Sequence, residues 1–107
     1  MAGYQEIESG DLHARMSQGG VLLVDVRNND ETSRGVIHGA LCIPLHLLPL
    51  RLAELTGDDA LVFYCHSGVR SSHACSLMAN HGRNNIYNLR GGILAWGNAG
   101  YSLEPKH

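Results

Sequence analysis

The sequence contains no apolar run approaching the ~20 residues a membrane-spanning helix needs, so nothing in it is expected to cross a bilayer. It has no excess of basic charge. Eight Lys and Arg stand against ten Asp and Glu, giving a net charge of −2 with His neutral and a pI near 6.3. That balance argues against a nucleic-acid footprint. Cysteine is sparse and odd in number. Cys42, Cys65 and Cys75 show no CxxC spacing, which argues against a disulfide framework or a zinc knuckle. The seven histidines include no HxxxH or CxxH pair at ligand spacing, so neither a metal nor another cofactor is expected. The first six residues offer no basic flank and no apolar stretch. A secretory signal is not expected, and uncrosslinked thiols suit a reducing cytoplasm.

What is present fits one ordinary globular domain over residues 1–107. The chain is 44% hydrophobic and 17% charged, long enough to bury roughly 65% of its unfolded surface. No repeat, linker or low-complexity segment interrupts it. Ser9 reads as the N-cap of a helix over 10–18, with Leu12 and Met16 spaced i, i+4 and Gly19-Gly20 stopping it. Residues 21–26 form a continuous apolar run closed by a charged residue, the pattern of a strand buried on both faces. A short helix over 30–34 ends at Gly35, and a short strand over 40–43 ends at Pro44. A helix is expected over 47–55 with Pro49 in its first turn, and a second central strand over 61–65. A helix over 71–81 carries Ala74, Leu77, Met78 and His81 on one stripe before Gly82. A strand over 86–89 and a helix over 92–98 complete the pattern. Strands alternating with helices predict an α/β fold with a mostly parallel sheet covered on both faces. Ligands of such sheets sit beyond the carboxyl ends of the strands, where Asp25 and Cys65 both fall.

The chemistry concentrates in Cys65-His66-Ser67-Gly68-Val69-Arg70-Ser71-Ser72, between a buried strand and an amphipathic helix. Successive backbone N–H groups in such a loop form an anion-binding nest. The helix N-terminus adds unpaired donors and partial positive charge. Gly68 permits the tight curl, and Arg70 brings permanent charge. Each effect favours a thiolate, so a lowered Cys65 pKa is predicted. A buried strand-end cysteine before an ordinary turn is the competing reading. The apolar strand, the glycine, the arginine and the following serines outweigh it.

These residues resemble a known family. Cys65-x-x-Gly68-x-Arg70-Ser71 is similar to the active loop of single-domain rhodanese sulfurtransferases. Asp25-Val26-Arg27 with Glu31, then Gly35-x-Ile37-x-Gly39-Ala40 and Ile43-Pro44-Leu45, resembles the early signature of that family. Leu89-x-Gly91-Gly92-Ile93-x-Ala95-Trp96 resembles its closing one, and the likeness is clearest over 21–96. The chain departs from the pattern at Val36, where the family usually has His, at His38, where it has Pro, and at Thr32, where an aromatic is common. These positions read as a surface connection. The resemblance implies a three-layer α/β/α rhodanese-like domain. It also implies ping-pong sulfur transfer through a Cys65 persulfide, from thiosulfate or a related donor to cyanide in vitro or thiols in the cell. His66, Ser67, Gly68, Val69, Arg70 and Ser71 would form the substrate-binding loop. Related phosphatases and arsenate reductases carry five residues between Cys and Arg; here four separate Cys65 from Arg70, a smaller ring better suited to sulfur. The implied partners are a small-molecule donor and a thiol or cyanide acceptor, with a protein acceptor as an alternative and a monomer as the expected state. A persulfide carrier, an arsenate reductase or phosphatase, and a catalytically silent binding module remain as other classes. Cys65 and Arg70 count against the last.

Other residues carry weaker signals. Asp25 and Arg27 could approach the loop mouth. The preferred reading is structural, with Asp25 accepting from a neighbouring loop and Arg27 paired with Glu31. His66 and His73 read as solvent-facing. Cys42 and Cys75 could resolve an oxidised Cys65 but read as small buried hydrophobes. Cys75, lying off the apolar stripe, is the better candidate for exposure. Arg90-Gly91-Gly92 matches an RNA-binding triplet only in passing and reads as a turn. Trp96 reads as a core or lid aromatic.

Overall fold

A computed structural model describes residues 3–106. Five strands and four α-helices form one α/β unit. The strands are β1 (Gln5–Ile7), β2 (Val21–Asp25), β3 (Leu41–Cys42), β4 (Ala60–Tyr64) and β5 (Ile86–Leu89). The helices are α1 (Ser9–Gln18), α2 (Asn29–Thr32), α3 (Val69–Asn80) and α4 (Gly92–Asn98). The sheet order is β1-β5-β4-β2-β3, and every pairing is parallel. The sequence reading missed β1, a short edge strand with only Ile7 buried, too brief to show a period.

Alternation along the central strands builds two cores. On β4, Leu61 and Phe63 join one cluster with Ala74 and Met78 of α3, and with Leu48 and Leu55. Val62 and Tyr64 face the other way, toward Leu12 of α1 and Ile93 and Trp96 of α4. Successive side chains point to opposite faces of a strand, so all five β4 residues are buried. Helices therefore cover both faces in three layers. No helix among the described residues is long and apolar enough to cross a membrane.

Several local expectations need correction. The helix over 47–55 is instead two 3₁₀ segments, Leu45–Leu50 and Leu52–Leu55. Pro49 offers no N–H, and its ring excludes the carbonyl four residues back, so a continuous α-ladder cannot form. Ser9 is not the N-cap of α1. Glu8 holds that position, and Ser9 is the first helical residue, its hydroxyl buried without a hydrogen-bond partner. Helix α3 begins at Val69, two residues early, because Gly68 caps it with φ +106°. Its sheet-facing stripe is Ser71, Ala74, Cys75 and Met78. Cys75 is thus fully buried, and His81 is exposed. The polar Ser71 hid this register in the sequence. Val36 and Thr32, expected at the surface, are buried. Val36 exchanges two backbone hydrogen bonds with Glu104, each 2.8 Å, and only His38 faces solvent.

Candidate active site

Strand β4 delivers Cys65 to the carboxyl edge of the sheet. The strand itself stops at Tyr64, so Cys65 opens the loop instead of closing the strand. Cys65 is 1% exposed and rests on the core cluster that includes Phe63 and Ala74. Its other side meets donors. The Gly68 amide lies 3.1 Å from Sγ and the Ser71 amide 3.4 Å. The Ser71 hydroxyl is also 3.4 Å away. Ser71 sits in the first turn of α3, where backbone N–H groups have no partner within the helix. Burial alone pushes a thiol pKa up. Here the Ser71 hydroxyl and the amides of Ser71, Gly68 and Ser67 more than offset burial, and the Cys65 pKa falls below its ordinary value.

Helix α4 fixes the orientation of the first two peptides of the loop. Ile93 N donates to the Cys65 carbonyl at 2.9 Å, and Leu94 N to the His66 carbonyl at 3.2 Å. In a planar trans peptide the N–H opposes the C=O. Fixing those two carbonyls on α4 therefore turns the amides of His66 and Ser67 the other way. Such an approach requires glycine at 92. A Cβ there would lie 2.5 Å from the His66 carbonyl oxygen and 2.6 Å from that of Cys65.

Arg70 is not aimed at the sulfur. Its guanidinium makes two hydrogen bonds to the Glu31 carboxylate, 2.6 and 2.8 Å long. That pairing holds Glu31 down to about 2, against an ordinary 4.5. The expected Arg27–Glu31 pair is corrected accordingly. Buried Arg27 instead grips buried Asp25 through Nε and Nη2, at 3.0 and 2.8 Å, and also donates to the Gly35 carbonyl. Sequence order suggested the i, i+4 pair; the fold brings Arg70 closer to Glu31. Asp25 and Arg27 thus have a structural role, tying the end of β2 to Gly35, with Asp25 accepting from Arg27 itself and not from a neighbouring loop.

A groove of about 410 Å³ opens beside the loop, lined by Arg34, His66, Arg70, Ile93 and Leu103 among others. His66, Ser67 and Val69 are exposed, and of these His66 lines the groove. His73 is exposed on α3, and Trp96 is a core residue whose Nε1 donates to the Ser102 carbonyl. Sequence reasoning missed Asn88 of β5. Its amide reaches Gly68, Ser71 and Glu6 together, and no sequence signal marks it.

A family model described as the rhodanese-like domain matches residues 8–99. The chain belongs to the rhodanese-like family. A sulfurtransferase of Allochromatium vinosum is 44% identical over 99 residues, covering 92% of each chain. The thiosulfate sulfurtransferase GlpE of Stutzerimonas stutzeri is 30% identical over 107 residues, covering 100% of this chain and 96% of that one. The crystal structure of a rhodanese-like domain protein from Staphylococcus aureus superposes with a TM-score of 0.86 at 31% identity, spanning 96% of this chain and 99% of the other. Membership places this α/β domain among the sulfurtransferases.

Proposed function

We propose that the protein moves sulfane sulfur through a persulfide on Cys65. The observation that carries this reading is the pair of backbone N–H donors aimed at the Cys65 sulfur at the start of α3, Gly68 at 3.1 Å and Ser71 at 3.4 Å. A thiolate in that ring attacks the outer sulfur of thiosulfate or a related donor. A new S–S bond forms at Cys65, the S–S bond of the donor breaks, and sulfite departs with the electron pair. The persulfide's terminal sulfur carries the negative charge that preorganised amides stabilise. A thiophile then attacks that sulfur, and the Cys65–sulfur bond breaks to return the thiolate. Cyanide serves in vitro and a thiol in the cell, free or on a protein partner. The cycle is ping-pong, and the amides that lower the Cys65 pKa favour the thiolate without a dedicated general base.

Four loop residues separate Cys65 from Arg70. With Arg70 bound to Glu31, the ring favours a single sulfur over a tetrahedral phosphate or arsenate. Intact-protein mass spectrometry after thiosulfate treatment tests the reading. One added sulfur is expected on the wild type and none on Cys65→Ser. Full thiosulfate:cyanide activity in Cys65→Ser would overturn it, as would efficient turnover of an aryl phosphate. Stoichiometric labelling with slow turnover would identify a carrier that hands its sulfur to a protein.

A further inference from the structure

Asn88 belongs to β5 and is 4% exposed. Its Nδ2 lies 3.2 Å from the Gly68 carbonyl and 3.1 Å from the Glu6 carboxylate. Both of those groups can only accept, so the amide nitrogen belongs on that side and Oδ1 faces Ser71. Ser71 is fully buried. Its Oγ stands 2.5 Å from Asn88 Oδ1 and 3.4 Å from Cys65 Sγ. Since Oδ1 can only accept, the short contact uses the one proton the Ser71 hydroxyl has. Facing Cys65, Ser71 then presents a lone pair. That arrangement suits a thiol, which donates its S–H. A thiolate or persulfide anion needs the opposite, a hydroxyl turned toward sulfur.

We propose that Asn88 is a positioning residue for sulfur transfer: its amide oxygen holds the Ser71 proton while Cys65 is a thiol and yields it when the sulfur becomes an anion. The side-chain amide thereby competes with the nucleophile for one hydrogen bond. Among the described residues, the other titratable or charged groups that bear on Cys65 are Arg70 and Cys75 of α3. Glu6 of β1 stands behind Asn88. None of these supplies or withdraws the Ser71 proton.

The proposal rests on Cys65 being the nucleophile, so its test reads ionisation separately from sulfur transfer. Iodoacetamide alkylation is followed against pH and read cysteine by cysteine by mass spectrometry. Asn88→Leu removes the competing acceptor at similar volume, so the Cys65 midpoint is expected to fall by about one pH unit, the worth of one hydrogen bond. Asn88→Ala is expected to move it the same way. Ser71→Ala takes the donor from the anion and is expected to raise the midpoint by about as much. Ser71→Ala combined with Asn88→Leu is expected to match Ser71→Ala alone, because the Asn88 effect passes through that hydroxyl. A purely structural Asn88 would instead loosen the loop and raise the midpoint. A raised or unmoved midpoint in a folded Asn88 variant overturns the proposal, as does a double variant that departs from Ser71→Ala. If neither Asn88 variant folds, a Ser71→Ala midpoint that is unmoved or lowered overturns it. A missing persulfide on the wild type would defeat the functional reading while leaving these shifts to stand.

Discussion

Replacing Gly92 by Ala tests how the active loop is held. The residue has φ +60°, and its missing Cβ would lie 2.5–2.6 Å from two loop carbonyl oxygens. These are backbone atoms and cannot swing aside. The left-handed conformation costs an ordinary residue about 1–2 kcal/mol. Relieving the collision means moving α4 off the loop, which breaks the Ile93–Cys65 and Leu94–His66 hydrogen bonds, about 1 kcal/mol each. The sum is a loss of about 3–4 kcal/mol from a total that is typically about 5–15. Urea denaturation followed by the fluorescence of Trp96, the only tryptophan and a buried one, measures it. Gly39→Ala is the control, because Gly39 has φ +79° with nothing within 4 Å of its would-be Cβ. It should lose only the conformational part. The loop peptides freed in Gly92→Ala should also turn amides away from sulfur, raising the Cys65 alkylation midpoint. Equal losses in the two variants, or an unmoved midpoint in Gly92→Ala, would refute this account of the loop.

Three more outcomes follow from buried or paired groups. Glu31→Gln is expected to cost about 1 kcal/mol at pH 7, since the pair is partly solvated. Because the folded carboxyl sits at about 2 and its ordinary value is 4.5, that stability is complete above about 4.5 and lost as pH falls toward 2. Denaturation curves of wild type and variant should therefore converge in acid; a gap that persists at pH 2 contradicts the assignment. Asp25→Ala strands the buried Arg27 guanidinium and is expected to cost about 3–5 kcal/mol, with the Cys65 alkylation profile unchanged; a cost below about 1 kcal/mol would show the pair to be solvated. Ser9→Ala removes a buried hydroxyl that has no partner and is expected to stabilise by ~1 kcal/mol; a loss in thermal melting would reveal a bond to Ser9.

Strand runs and their spacing carried the α/β class. Residues 21–24 and 61–65 are apolar because both faces of β2 and β4 are covered, which leaves a signature that needs no partner to be read. Cys65 and its loop were equally legible, since strand, glycine, arginine and serine follow one another along the chain. The 47–55 segment misled because a helical apolar spacing concealed what Pro49 forbids to an α-ladder. Cys75 misled because the polar Ser71 shares its buried stripe.

Order along the chain thus determined the Cys65 loop and the turn that presents its sulfur, because nest and helix start are local structures. Tertiary structure alone decided what surrounds them. Glu31 reaches Arg70 across 39 positions, and Asn88 reaches Ser71 across 17. Two amides of α4 set which way the loop carbonyls point. Such contacts join segments brought together only by packing on a common sheet. They determine whether a charge is free or already paired, and where a hydroxyl proton rests.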